Sequence, residues 1–187
     1  NYIGGAAIVA QHLKAAGAKV SFSTVLGNDD LKDLVIKTLK DSKIEVNAII
    51  DQTRPTTNKN TIIASEYRLL KVDKLDNRPV SEDIQDQLIT LVKKSNADAQ
   101  IFSDFRHGIF NALSINSLTK AIPNQIFKVA DSQVASRWGN ITEFKNFDLI
   151  TPNERETRFA LADQDSTVGK LCDLLQSSSK CKNLILK

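Results

Sequence analysis

Short apolar segments alternate with amphipathic helical segments along most of this chain of 187 residues, and this alternation limits the possible folds more than any other feature. The strands are predicted at 19–26, 44–50, 99–102, 127–130, 149–150 and 184–187, and helices at 6–16, after Asp29, after Ser81, at 110–121 and after Asn153. Strands that alternate with helices at this spacing favour an α/β fold with a doubly wound, mostly parallel sheet.

The composition fits one globular domain with a sizeable core, since 41% of the residues are hydrophobic and 25% are charged. The net charge of +3 is spread along the chain, which argues against nucleic acid and membrane surfaces as partners. No apolar run approaches the ~20 residues that a membrane-spanning helix needs. We therefore expect a cytoplasmic protein.

The two cysteines, Cys172 and Cys181, do not have metal-ligand spacing. Cys172 shares a helical stripe with Val168, Leu171 and Leu175. This pattern predicts a buried free thiol in a reducing cytosol.

A strand-to-helix junction is predicted at 147–156, where the apolar pair Leu149-Ile150 stops at Thr151-Pro152. Proline suits the first turn of a helix, and in a parallel α/β sheet such junctions lie at the strand ends where ligands bind. Asn153 and Glu156 would lie over the first helical turn, beside amides that attract phosphate. Their spacing alone favours a simpler interpretation, a variant of the capping box that only closes the helix end.

Three predicted strands are followed by polar residues, which are Asp104, Asp131 and the pair Asn153 and Glu156. Each aspartate alone is more typical of a cap or turn. Because the carboxyl ends of parallel strands share one edge of a sheet, the three positions together predict a polar crevice at that edge.

Two further segments have possible functions. Gly4-Gly5 precedes the first helix, where backbone amides could approach a bound group, although for the pair taken alone a plain tight turn is the favoured explanation. Residues 54–73 contain two short strands at 61–72, around a turn at 66–68, with no helix directly after them. We expect this segment to form a small β lid outside the main sheet, and exposed strands of this kind often pair with another chain.

Taken in order, five segments resemble the ribokinase-like (PfkB) family of sugar kinases, and among them the heptose-7-phosphate kinases of lipopolysaccharide precursor synthesis. The matching segments are Gly4-Gly5-Ala6-Ala7, Arg54-Pro55-Thr56-Thr57 with Lys59, Leu69-Leu70-Lys71-Val72-Asp73, Ser103-Asp104-Phe105 with Gly108, and 149–156. They occur in the family's order across nearly the whole chain.

The resemblance implies ATP-dependent phosphoryl transfer to a sugar hydroxyl, with Mg²⁺ as the metal. It implies that the substrate is bound by Gly4, Gly5, Lys59 and Asp104, and the nucleotide by Asn153, Glu156 and Asp131. Asn153 and Glu156 match the family's Asn-x-x-Glu motif, in which the carboxylate orders Mg²⁺, its waters and the ATP phosphates. The lid would close over the sugar and join two subunits in a homodimer.

The resemblance also implies that a part is absent from these residues. The family's catalytic base is an Asp in a Gly-Ala-Gly-Asp motif, which the 187 residues do not contain, and the chain has no methionine. We expect a partial kinase domain that lacks the first strand and the C-terminal catalytic part, and that does not catalyse the transfer by itself. An adenylyltransferase domain follows the kinase domain in some relatives.

Other positions depart from the family pattern. Ile8 replaces an Asn that contacts the sugar, His107 replaces a Lys, Ser132-Gln133 replaces Pro-Lys, and Thr61 replaces the Arg of the heptose kinases. These departures leave open a different sugar, or a degenerate relative that binds a sugar or nucleotide without turnover. An unrelated nucleotide-binding α/β domain is disfavoured, because no Gly-x-Gly-x-x-Gly or Walker loop is present.

Overall fold

The computed structural model describes residues 2–133 and 140–187. The helices are α1 (Ala6–Ala15), α2 (Asp30–Asp41), α3 (Glu82–Lys93), α4 (Ala112–Ala121), α5 (Glu154–Leu161) and α6 (Val168–Ser179), with a 3₁₀ turn at Ile141–Glu143. The strands are β1 (Ser21–Gly27), β2 (Glu45–Asp51), β3 (Asn58–Ala64), β4 (Tyr67–Lys74), β5 (Ala99–Asp104), β6 (Phe127–Ser132), β7 (Leu149–Ile150) and β8 (Asn183–Leu184). The chain divides into two compact units, 1–87 and 88–187.

In the first unit, β1 and β2 pair in parallel from Ser21↔Glu45 to Gly27↔Asp51. Helix α2 begins at Asp29, whose side chain accepts a hydrogen bond from the Lys32 amide and so caps the helix as predicted. Helix α1 ends before Gly17, whose φ of 97° suits glycine at this position.

The buried face of α1 is not its most apolar one. The sequence has Val9, Leu13 and Ala16 on one face of the helix, but Ala7 and Ala10 are the buried residues and Ala16 is exposed. Ala7 and Ala10 pack in a cluster with Leu39 and Ile44. Small side chains let a helix approach its neighbours closely, so this stripe of alanines is buried although it is less hydrophobic.

Strands β3 and β4 form a separate antiparallel hairpin, as the sequence predicted for residues 54–73. The turn lies at Ser65 and Glu66, one residue earlier than predicted, and both residues have positive φ (45° and 69°), as a type I′ turn requires. All of β4 is exposed, including apolar side chains.

The second unit contains a four-stranded parallel sheet in the order β5-β6-β7-β8. Its core includes the rings of Phe102, Phe110, Phe144 and Phe147, whose contacting centroids lie 5.3–6.4 Å apart. The parallel pairing in this unit confirms the predicted α/β class. The last strand is shorter and earlier than predicted, because only Asn183 and Leu184 pair with β7.

The prediction for the cysteines was wrong in one respect. Cys172 is only half-buried, and Val168 in the same stripe is 47% exposed, whereas Cys181 is buried. Leu171 and Leu175 occupy the buried side of α6 instead. Both thiols are free, as expected.

Within the described ranges, none of the helices has the length and apolar character required to cross a membrane.

Candidate functional site

The carboxyl ends of the four parallel strands in the second unit bring six polar residues to one edge of the sheet. We call this set the rim cluster, and it consists of Asp104, Asp131, Thr151, Asn153, Glu156 and Lys187. The strand register fixes their positions, because Ser103 lies opposite Asp131 and the Thr151 amide donates to the Ala130 carbonyl over 3.1 Å. The sequence predicted four members of this set together at one edge, and the sheet places all four there.

Asn153 and Glu156 form the capping box that their spacing favoured. The Asn153 amide donates to Glu156 Oε2, and the Glu156 amide donates to Asn153 Oδ1, each over 2.8 Å. The predicted capping box is therefore present. It does not exclude a ligand, because only one oxygen of the Glu156 carboxyl is used by the cap.

The amides at the start of α5 are less available than the sequence suggested. A helix begins with four amides that lack a partner within the helix. Here the Asn153 and Glu156 amides serve the capping box, and the Glu154 amide donates to the Lys187 carbonyl over 3.1 Å. Of these four, only the Arg155 amide has no partner among the described residues.

Glu156 lies in an environment that disfavours its charge. It is buried, and burial raises the pKa of its carboxyl above the ordinary value, with a further increase from the negative charge of Asp131. The Asn153 amide and the ammonium of Lys187 oppose this increase in the pKa. A cation bound beside Glu156 would therefore stabilise the ionised form of its carboxyl group.

Asp131 joins three neighbours at the ends of β6, β7 and β8. Its Oδ1 accepts from the Thr151 hydroxyl over 3.0 Å and from Lys187 Nζ over 2.8 Å, and its Oδ2 accepts from the side-chain Nε2 of Gln133 over 3.1 Å. The carboxylate thus fixes the side chains around it. The assignment of Asp131 to the nucleotide stays a prediction.

Asp104 has no exposed surface, and its carboxylate is fully engaged. Oδ1 accepts from the Arg106 amide over 2.7 Å, and Oδ2 accepts from Arg106 Nε over 2.8 Å and from the Ser132 hydroxyl over 3.0 Å. Burial raises the pKa of Asp104, although the charge of Arg106 acts in the opposite direction. Arg106 also pairs with Glu143. The predicted substrate contact of Asp104 stays a prediction, and in this structure Asp104 positions Arg106.

The other predicted substrate residues lie in the first unit. Gly4 and Gly5 are exposed, and Gly5 begins α1 with φ 56° and ψ −134°, a conformation that side chains disfavour. Lys59 is exposed on β3, opposite Asp73. Ile8, at the position of the family's sugar-binding Asn, is 42% exposed.

The ability of these residues to hold Mg²⁺ depends mainly on Glu156. Among the described residues, no three His, Cys, Asp or Glu side chains are grouped so that they could hold a metal ion. Mg²⁺ does not need such a group, because it keeps several waters and usually binds one or two carboxylates together with phosphate. Glu156, with one oxygen outside the capping box and Asp131 nearby, fits that limited requirement.

Sequence reasoning missed Thr151, Arg106 and Lys187. Thr151 and Lys187 each follow an apolar strand segment directly, and that position was a usable signal. The signal for Arg106 in the sequence was weaker. Its contact with Asp104 depends on a left-handed backbone conformation (φ 54°), in which its guanidinium group donates to the Asp104 carboxylate.

The whole chain, residues 1–187, matches a family described as pfkB family carbohydrate kinase. It is 31% identical over 183 residues to the bifunctional protein HldE of Helicobacter pylori strain J99, covering 94% of this chain and 39% of the relative. It is 26% identical over 190 residues to the bifunctional protein HldE of Sulfurimonas denitrificans, with coverage of 98% and 39%.

Solved structures show the same fold. Phosphofructokinase-2 from Escherichia coli in complex with fructose-6-phosphate aligns with a TM-score of 0.74 at 19% identity, over 98% of this chain and 61% of that one. Ribokinase from Giardia lamblia aligns with a TM-score of 0.72 at 17% identity, over 94% and 60%. The fold is therefore ribokinase-like, with a parallel sheet that presents polar residues at its carboxyl edge.

The chain belongs to the pfkB family of carbohydrate kinases. It spans about two fifths of the length of the HldE proteins that it matches.

Proposed function

We propose that the protein containing this chain is an ATP-dependent sugar kinase that uses Mg²⁺ and acts in the cytoplasm. The main support from the structure is the position of Glu156, a buried carboxylate at the carboxyl edge of a parallel sheet with one oxygen outside its capping box. Phosphoryl transfer depends mostly on positioning and on neutralisation of charge. The capping box fixes the position of the Glu156 carboxylate, and a nearby cation would stabilise its ionised form. Glu156 therefore suits both requirements.

In this proposal Glu156 and Asn153 form the metal and nucleotide side of the site. Mg²⁺ would be held through Glu156, with its waters and the ATP phosphates completing its coordination, and it would supply charge neutralisation. Asn153 orients Glu156 through the capping box, and Asp131 contributes negative charge beside it. Gly4, Gly5, Lys59 and Asp104 remain the proposed substrate residues.

The proposed substrate is heptose 7-phosphate, phosphorylated at its anomeric hydroxyl in the synthesis of a lipopolysaccharide precursor. Support comes from the motifs at 54–59, 69–73 and 103–108, which resemble those of the heptose-7-phosphate kinases, and from the similarity to the HldE proteins. Lys59 is an exposed cation on the hairpin and suits a sugar that carries a phosphate group.

The hairpin is also the proposed dimer contact. Ile62 and Leu70 lie opposite each other, Val72 follows two residues along the same face, and all three are about half exposed. An apolar sheet face of this kind is typical of an interaction surface.

A second candidate, a relative that binds a ligand without turnover, is favoured by one observation. The carboxylate of Asp104 is occupied by Arg106 and Ser132, so a ligand at this point would have to displace them.

The test is ATP-dependent phosphorylation of a panel of sugars by the full-length protein, with product measured by ADP release and mass spectrometry. The panel should contain heptose 7-phosphate, unphosphorylated heptose, fructose 6-phosphate and ribose. Phosphorylation of heptose 7-phosphate alone supports the full proposal, and preference for another sugar supports the kinase but not this substrate. Binding without product, in the presence of Mg²⁺, would favour the second candidate.

A further inference from the structure

The segment that leads into the β3–β4 hairpin is bonded to the end of β1 and to the turn after it. The Gly27 amide, at the end of β1, donates to the Thr56 hydroxyl over 3.0 Å. The Thr56 amide in turn donates to Asp29 Oδ2 over 2.9 Å. Thr56 is buried, so these two bonds attach the base of the hairpin firmly to this end of β1.

The carboxylate of Asp29 uses a different oxygen for each of two tasks. Oδ1 accepts from the Lys32 amide over 3.3 Å and caps α2, and Oδ2 accepts from the Thr56 amide. A helix cap needs only one acceptor oxygen, which Asn or Ser would supply as well as Asp. The contact with the hairpin base is therefore what the second carboxylate oxygen adds.

A second set of contacts connects the two chain segments that carry the hairpin. Arg54 precedes β3, and its Nη2 donates to the carbonyls of Arg78 and Pro79 over 3.3 and 3.2 Å, in the segment after β4. Its Nε donates to Asp51 Oδ2 at the end of β2 over 2.6 Å, and both side chains are buried. The base of the hairpin is therefore fixed on both sides.

The strands of the hairpin, in contrast, have little burial to hold them. Every residue of β3 and β4 is exposed apart from Asn58, which is half-buried. Packing therefore contributes little to the orientation of the hairpin, and the contacts at its base determine it. Lys59 lies only three residues beyond Thr56, so a displacement of Thr56 would also displace Lys59.

We propose that Asp29 is a positioning residue for the sugar, because its bond to Thr56 fixes the base of the hairpin and so places Lys59 against the phosphate group of the substrate. This inference rests on the proposed function, since it takes Lys59 to be a substrate residue. A misplacement of about 1 Å can reduce activity by up to about 100-fold. The proposed nucleotide residues belong to the other unit, so the effect should be confined to the sugar.

The experiment measures kcat and the KM values for heptose 7-phosphate and ATP with the full-length protein. Asp29→Asn keeps one acceptor oxygen for the cap but replaces the other with an amide group, which cannot accept from the Thr56 amide. It should raise the KM for heptose 7-phosphate about tenfold and leave the KM for ATP within about twofold.

The same contact can be weakened from the side of the hairpin. Thr56→Val removes the hydroxyl that accepts from the Gly27 amide and does not alter the cap of α2. It should raise the KM for heptose 7-phosphate in the same way, and it provides the test if Asp29→Asn does not fold. Thr56→Ser retains the hydroxyl and should restore a KM within about twofold of wild type.

The matched control is Thr167→Ala, which removes a helix cap that does not contact the hairpin. The Thr167 hydroxyl accepts from the Lys170 amide at the start of α6. Loss of this cap should lower stability by a comparable mechanism and leave both KM values unchanged. Hydrogen exchange measured by mass spectrometry reports separately on the base of the hairpin, because the Thr56 amide should exchange faster in Asp29→Asn.

The outcomes distinguish this inference from the proposed function. If the Thr56 amide exchanges faster in Asp29→Asn while the KM for heptose 7-phosphate is unchanged, the positioning role is wrong and the proposed function stands. Equal increases in both KM values, or the same increase in Thr167→Ala, would indicate a general loss of stability and would also contradict the inference. If wild-type protein does not phosphorylate heptose 7-phosphate, the proposed substrate is wrong, and this inference fails with it.

Discussion

At the scale of single residues, the most informative feature is that several residues proposed for the site also have structural roles. Asn153 and Glu156 close a helix end, and Asp104 holds Arg106. The sequence predicted that these residues lie at one edge of the sheet, and the spacing predicted the cap. It could not predict how much of each carboxylate stays available, because that depends on partners such as Lys187, 31 positions beyond Glu156 along the chain.

Glu156 should show opposing effects on stability and activity. Its pKa is raised in the folded protein, so the stability associated with this group is fully present below the pKa of the unfolded chain and is lost as the pH rises through the folded-state pKa. Glu156→Gln cannot ionise. Its free energy of unfolding relative to wild type should therefore increase from about pH 4 to pH 7, as measured by urea denaturation. Magnesium-dependent turnover should fall by about 10–100-fold, with sugar binding unchanged.

Glu154→Gln is the control for this change, because Glu154 lies on the same helical turn and its side chain, which pairs with Arg158, is 48% exposed. It should leave magnesium-dependent turnover unchanged. A relative stability of Glu156→Gln that is flat or decreasing with pH would show that the environment of Glu156 does not disfavour its charge.

The buried pair of Asp104 and Arg106 should behave as one unit. Arg106→Met removes the guanidinium and leaves a fully buried carboxylate, which should lower the free energy of unfolding by about 3–5 kcal/mol. Adding Asp104→Asn should recover part of this loss, because the double variant buries no unpaired charge. Urea denaturation of wild type and the two variants measures both effects, and a double variant less stable than Arg106→Met would contradict the explanation.

At the scale of secondary-structure elements, strand and helix types were predictable where periodicity was strong. Elements β1, β2 and α2 lie within a few residues of their predicted positions. The buried face of α1 was not predictable from hydrophobicity, because the core selects Ala7 and Ala10 by size. Strand β8 was also misplaced, because pairing with a two-residue strand limits its length more than its own apolar run does.

The hairpin provides a test of the proposed dimer. Ile62 and Thr61 are neighbours on β3, and successive side chains of a strand point to opposite faces. Ile62→Lys places a charge on the apolar face with Leu70 and Val72, and should weaken dimerisation about tenfold or more, as measured by sedimentation equilibrium. Thr61→Lys places the same charge on the other face, beside Lys71, and should leave the dimer intact. Equal effects of both substitutions, or a monomeric wild type, would contradict dimerisation through this face.

At Gly27 the backbone of β1 lies close to the backbone of residues 54–56. A Cβ at this position would lie 2.4 Å from the Thr56 amide nitrogen and 2.5 Å from the Arg54 carbonyl oxygen. Gly27→Ala should therefore cost about 1–3 kcal/mol of stability. Gly169→Ala is the matched substitution in α6, where nothing lies within 4 Å, and it should stabilise by about 0.5–1 kcal/mol. Thermal denaturation distinguishes the two, and a neutral Gly27→Ala would show that the loop at 54–56 can move away.

At the scale of the whole molecule, the order of motifs along the chain predicted the family. Gly4, Gly5 and Lys59 belong to the first unit, whereas Asn153, Glu156 and Asp131 belong to the second. The proposed sugar contacts therefore lie largely in one unit and the nucleotide contacts in the other. Periodicity shows the elements of each unit, whereas the order of the motifs indicated the family.

This distribution leads to a prediction for the full-length protein. A ligand that binds only the folded state at about 100 times its Kd stabilises by about 2.7 kcal/mol, which is about 5–10 °C in melting temperature for a domain of this size. A non-hydrolysable ATP analogue with Mg²⁺ and heptose 7-phosphate should each produce such a shift by themselves in differential scanning fluorimetry. Chelation of Mg²⁺ should reduce the shift caused by the nucleotide and leave the shift caused by the sugar unchanged, because Glu156 is the proposed metal residue.

A shift from only one of the two ligands would instead favour a binding protein over a kinase. A sugar shift that depends on Mg²⁺ would contradict the assignment of the metal to the nucleotide.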